Sequence, residues 1–178
     1  GRMDLAEIFR LPEGPGTILQ RPLLDRELLE QGVGRRVALA RRAPLNMMER
    51  LVFDHEPRVI SALLDSPRIR TQEVLRITTR RPLPTDIARE ILSSHKWSAE
   101  YPVLRSLARN ETLLDRWGSA VTLLLSQHDL SAVASDPKAT PARRRIARFR
   151  NLASRGALPM RGDDEIPVIK LDPLPAED

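Results

Sequence analysis

Hydrophobic residues recur along this chain at helical spacing in short runs, and each run stops at a proline, a glycine or a polar cluster. Leu45, Met48, Leu51 and Val52 share one helical stripe. Glu56-Pro57 opens the next run with proline in the first turn, and Val59, Ile60, Leu63 and Leu64 form its apolar side. Thr71 reads as the N-cap of TQEVLRITTR, with Val74, Leu75, Ile77 and Thr78 inward. In PTDIAREILSSH the inward residues are Ile87, Ile91 and Leu92, and Lys96-Trp97-Ser98 marks a junction. Residues 100–109 place Val103, Leu104, Leu107 and Ala108 inward, with Pro102 in the first turn. Residues 112–126 are the most apolar stretch, and Leu113, Leu114, Trp117, Val121, Leu124 and Leu125 are expected in the core. Asp129 is expected to open a short helix ending near Asp136. Thr140-Pro141 combines an N-cap with proline at the next position, and Ala142, Ile146, Phe149 and Ala153 stripe the helix that follows.

No segment before the tail alternates with period two, so the expected fold class is all-α. The helices are short and fall into pairs spanning 45–65, 71–94, 99–125 and 128–154. One such pair cannot bury its apolar side alone, whereas a stack of neighbours can. The chain divides into three parts. Residues 3–24 hold a short amphipathic helix, MDLAEIFR, and a Pro/Gly linker that begins LPEGPG. Residues 25–156 are the helical domain, with Asp25 as a first cap. Residues 157–178 are an extended acidic tail. Gly1-Arg2 before Met3 read as an appended pair, which sets the expected natural start at Met3.

Composition sharpens this picture. Of the 178 residues, 41% are hydrophobic and 3% aromatic, so the core must be aliphatic, which favours packed helices over a sandwich of strands. There is no cysteine, which removes disulfides, thiolate metal sites and cysteine nucleophiles. No apolar run approaches the roughly 20 residues that span a bilayer, and no signal peptide opens the sequence. No membrane partner is expected, and the expected compartment is cytoplasmic.

Three of the short runs, RRVALARRAP, RVISALLDSP and PVLRSLARNE, look like degenerate copies of a V-R-x-x-L-A-x-N-P pattern. In this the stretch from about 35 to 150 resembles the HEAT-like repeats and leucine-rich-repeat variants of bacterial proteins. The resemblance implies a short α-solenoid of stacked antiparallel helix pairs and mostly protein-binding roles, and it transfers no catalytic residue. Spacing between the breaks is irregular, which leaves a non-repeating helical bundle as the other arrangement.

Candidate chemistry is sparse. His55, His95 and His128 are scattered without a ligand partner at i, i+4, so no metal is expected. Ser93-Ser94-His95 lacks the turn and the orienting acid of a nucleophile, and Gly32 to Gly34 lacks the lysine of a phosphate loop. Asp86 and Glu90 sit side by side near Arg89 as ordinary helix surface. HEAT-like DNA glycosylases use a carboxylate and aromatics in a basic groove. Trp97, Tyr101, Asp115 and Trp117 are the residues here that would have to serve in that way. No cofactor and no enzymatic activity is expected.

Charge is the stronger signal. The net charge is +5, but the first 30 residues carry 4 arginines against 6 acids, and residues 151–178 carry 3 basic residues against 6 acidic ones. A basic body therefore lies between two acidic ends. Its cations are mostly arginine, a skew that GC-rich bacterial composition also produces. Arg35, Arg36 and Arg42, then Arg80 and Arg81, then Arg143, Arg144, Arg145 and Arg148 form the candidate binding faces, all expected to point outward. Such faces suit an acidic protein surface or nucleic acid. In the tail, Ile166, Val168, Ile169 and Leu171 form a short extended apolar segment beside Asp163, Asp164 and Glu165. It is expected to dock in an apolar groove on its own helices, on a second copy (self-association) or on a partner. The function these features point to is a non-catalytic adaptor that binds a protein with an acidic surface, with a nucleic-acid-binding helical stack as the alternative.

Overall fold

The computed structural model describes residues 26–156, and among them every regular element is α-helical. The helices are α1 Arg26–Leu29, α2 Val33–Arg42, α3 Leu45–Leu51, α4 Pro57–Leu64, α5 Thr71–Thr78, α6 Thr85–Ser93, α7 His95–Ser98, α8 Tyr101–Ala108, α9 Asp115–Leu123, α10 Gln127–Ser135 and α11 Pro141–Ser154. Asp25, the N-terminal segment 3–24 and the tail 157–178 lie outside the described residues.

Helix starts follow the local chemistry. Proline occupies the first turn of α4, α8 and α11, where no intrahelical N–H is needed. Thr140 Oγ1 accepts from the Arg143 N–H, which caps α11. Two other starts move from their expected places. Thr71 is the first helical residue of α5. Its N-cap is Arg70, whose backbone N–H donates to Glu73 Oε2 at 3.0 Å. Asp129 lies inside α10, and Ser126 caps it by accepting from the Asp129 N–H. Helix α9 begins only at Asp115, because Asn110 Oδ1 accepts from both the N–H and the hydroxyl of Thr112 and holds that stretch in a turn. Leu114 and Leu124, expected in the core, flank this shorter helix and are 38% and 62% exposed.

Each expected pair span contains two helices: α3 and α4, α5 with α6, α8 and α9, α10 and α11. The packing in the first half nevertheless runs across the pairs. Helix α4 lies mainly against α2 and α6, and α5 against α8. In the second half consecutive helices also pack as hairpins, α8 on α9 and α10 on α11, with α11 crossing back onto α9. One continuous aliphatic core runs from Leu28 to Ala147. Trp97, placed at a junction by the sequence, is 1% exposed and donates its indole N–H to the Leu64 carbonyl at 3.0 Å.

A column of buried polar side chains crosses the turns that end α3, α5 and α8. Arg80 donates to the carbonyls of Val52 and Asp54, at 3.4 and 2.8 Å. Asn110 donates to the carbonyls of Thr78 and Arg80, at 2.8 and 2.9 Å. Arg143 donates to those of Ala108 and Asn110, at 3.3 and 2.7 Å, and to that of Leu113. Apart from that of Leu113, which precedes α9, these carbonyls lie at or just past helix C-terminal ends, which lack intrahelical donors and carry the negative end of the helix dipole. At the first turn Arg36 Nε meets Asp54 Oδ2 at 2.7 Å, and Arg36 Nη1 donates to the Gln31 carbonyl. Gly118 of α9 faces this column: a methyl there would overlap Nε, Cζ and Nη2 of Arg143.

Candidate interaction surface

The column corrects three of the nine expected binding arginines. Arg36, Arg80 and Arg143 are buried and bonded to the chain's own turns, so they present nothing to a partner. Burial pulls the Arg80 and Arg143 guanidinium groups below the usual arginine range, opposed by Asp54 in the first case and Asp115 in the second. Arg144 is half-buried and donates to the Pro137 carbonyl. Arg81 is exposed but tied down by the Thr79 carbonyl at 2.7 Å and by Glu111 at 3.6 Å. Arg35, Arg42, Arg145 and Arg148 remain exposed. Arg35 and Arg42 are two turns apart on α2, and Arg145 and Arg148 are neighbours on α11.

The structure adds three open grooves, each with an apolar floor and an arginine rim. The first, about 400 Å³, lies between α2 and α4 over Val33, Val37 and Ala62, with Arg41 and Arg58 at its edge beside Asp65. Arg58 also meets Glu56 at 2.8 Å, which holds the Glu56 carboxyl below its ordinary value. Arg35 and Arg42 lie roughly half a turn round α2 from this groove, on another side. The second, about 320 Å³, is floored by Leu45, Met48, Pro67 and Ile69 and rimmed by Arg68 and Arg70. The third, about 210 Å³, lies between α10 and α11 and is lined by Ala134, Arg148, Asn151, Leu152 and Arg155.

Of the expected binding residues only Arg148 reaches a groove. Arg41, Arg58, Arg68, Arg70 and Arg155 were missed. One local signal existed: Val33, Val37 and Arg41 stand at i, i+4 and i+8, one stripe of α2. That α4 supplies the opposite wall is a tertiary fact no local pattern carries.

The residues considered for chemistry are committed elsewhere. His55 Nδ1 lies 3.0 Å from Arg80 Nη2, while His95 and His128 are exposed. Among the described residues no three His, Cys, Asp or Glu side chains gather as metal ligands. Asp86 pairs with Arg89 at 2.9 Å. Asp115 ties α9 to α11 through Thr140 Oγ1 and an ion pair with Arg143 Nε at 3.2 Å. The Tyr101 hydroxyl donates to Asp129 Oδ2 at 2.6 Å, tying α8 to α10. That bond, with Arg105 and Arg109 nearby, holds the Asp129 carboxyl below its ordinary value despite burial. Trp97 is buried, and Trp117 is half-buried with the Arg116 guanidinium 5.5 Å from its ring centroid. Ile166, Val168, Ile169 and Leu171 fall outside the described residues. No helix among the described residues is long and apolar enough to cross a membrane. No family model, curated protein or solved structure matches this chain.

Proposed function

We propose that the chain is a non-catalytic protein–protein interaction adaptor, its helices stacked as a short α-solenoid, whose partner offers an acidic amphipathic segment to the arginine-rimmed grooves. One observation carries the reading: exposed arginines stand at the edges of apolar floors in three separate places. Arginine beside apolar surface is the composition of protein interfaces. Tracking phosphates along a single strand calls for cations interleaved with exposed aromatic platforms, and no aromatic side chain lines any of the three grooves. Nucleic acid is the competing ligand, favoured by the exposed Arg145 and Arg148 on α11 and Arg155 at its C-cap.

The full chain and an Arg41→Glu/Arg58→Glu variant are used to capture partners from lysate with and without nuclease. Binding of the recovered partner is then measured across a salt series. The expected result is a discrete protein that survives nuclease and binds the variant at least about tenfold more weakly, a loss of about 1.4 kcal/mol. Both arginines are exposed and the Arg58–Glu56 pair is a surface one, so urea unfolding should show at most a small loss. Recovery of nucleic acid alone, released with the steep logarithmic salt slope of counterion release, would overturn the proposal.

A further inference from the structure

The groove between α10 and α11 lies where the described chain leaves its last helix. Arg148, Leu152 and Arg155 follow one another along a single stripe of α11, and Ala134 of α10 faces them. Leu152 is 39% exposed, an aliphatic side chain between two cations with open space beside it. Asn151 donates from Nδ2 to Ser131 Oγ at 2.8 Å, but its Oδ1 has no hydrogen-bond partner among the described residues. Gly156 adopts φ 69°, the left-handed conformation that ends a helix and turns the chain away from its axis.

The chain that continues from this point has matching chemistry. Residues 157–178 carry six acids against Arg161 and Lys170. Three of the acids, Asp163, Asp164 and Glu165, directly precede Ile166, and Asp172 follows Leu171. The stripe from Arg148 to Arg155 is about 10 Å long, the length of three extended residues. Six residues, 157–162, separate Gly156 from the first acid, enough to reverse direction at small loop-closure cost.

We propose that segment 163–168 folds back into the α10–α11 groove of its own chain, antiparallel to α11. Asp163 and Asp164 meet Arg155, Ile166 and Val168 cover Leu152 and Ala134, and the chain passes the end of the stripe beyond Val168. Ile166 and Val168 fall on one side of an extended chain, so both can enter the groove together. The inference does not depend on what binds the other two grooves.

Hydrogen exchange of the full chain tests it, at low and at high protein concentration. The amides of Glu165, Ile166 and Val168 should exchange roughly tenfold or more slowly than a free chain, independently of concentration. Leu152→Asp should return them to free-chain rates while α10 and α11 keep their protection. Arg155→Glu should weaken the protection, and Asp163→Arg/Asp164→Arg added to it should restore it. The charge-reversal pair decides the matter should Leu152→Asp disturb α11. Free-chain rates in the unsubstituted protein would overturn the proposal, as would protection indifferent to these substitutions. Protection that grows with concentration would place the segment on a second copy and equally refute folding back within one chain.

Discussion

Replacing Gly118 by alanine sets two rules against each other. Gly118 lies in the interior of α9, where alanine is favoured over glycine by about 1 kcal/mol, so propensity alone makes Gly118→Ala stabilising. The structure predicts the opposite sign. The added methyl would occupy the space of the Arg143 guanidinium. A flexible side chain usually swings aside at little cost, but Arg143 is wholly buried and its guanidinium holds three carbonyls at the ends of other elements. Moving it leaves a buried charge and those carbonyls without partners. Breaking such an arrangement costs about 3–5 kcal/mol, so after the propensity gain Gly118→Ala should destabilise by about 2–4 kcal/mol. Urea unfolding gives the number, with an unchanged m-value as the check that the same transition is compared. The decisive comparison is a cycle with Arg143→Ala, whose side chain ends at Cβ and leaves the space beside Gly118 open. In that background the clash is gone, and Gly118→Ala should be neutral or stabilising by up to about 1 kcal/mol. A single Gly118→Ala variant as stable as the parent, or one with the same effect in both backgrounds, would refute the reasoning.

Two further outcomes follow from other joints. Asn110→Ala removes both donors to the Thr78 and Arg80 carbonyls and the acceptor that shapes the Thr112 turn, and should cost about 2–3 kcal/mol in urea unfolding; a loss below about 1 kcal/mol would mean the column is replaceable by water. The Asp129 carboxyl has a depressed folded value, so its contribution to stability is present above the ordinary carboxylate value of about 3.9 and is lost as pH falls through the lower folded value; Tyr101→Phe, which removes the largest cause, should flatten that acid loss and raise the Asp129 titration seen by NMR, and an unmoved titration would contradict it.

Much of the helical layout was legible because its determinants are local. Thr140-Pro141 and Glu56-Pro57 fix helix starts by chemistry within a few residues, and Val59, Ile60, Leu63 and Leu64 form a buried stripe that spacing alone reveals. Leu114 and Leu124 were misplaced because the apolar density of 112–126 suggested one long helix, while the Asn110 turn delayed its start. The arginines were harder, since an arginine counts as polar in any periodic pattern. Arg143 stands three and four residues before Ile146 and Ala147, and Arg36 four before Ala40, so both lie on buried faces. The spacing was readable; the partners that make burial tolerable, the Asn110 carbonyl 33 residues before Arg143 and the Asp54 carboxylate 18 residues after Arg36, were not. The grooves are further still from the local pattern, each joining walls from different parts of the chain.

The polar column also gives this chain a direction in time. Every turn in it is finished by a side chain that comes later: Val52 and Asp54 wait for Arg80, Thr78 and Arg80 for Asn110, Ala108 and Asn110 for Arg143. A chain growing from its N-terminus at the ribosome would always have its newest turn open, its carbonyls awaiting a donor still to be synthesised. Among the described residues the last donor comes from α11, a helix rather than another turn, and a released chain ending before residue 143 would lack the donor of the final joint while carrying those of every earlier one.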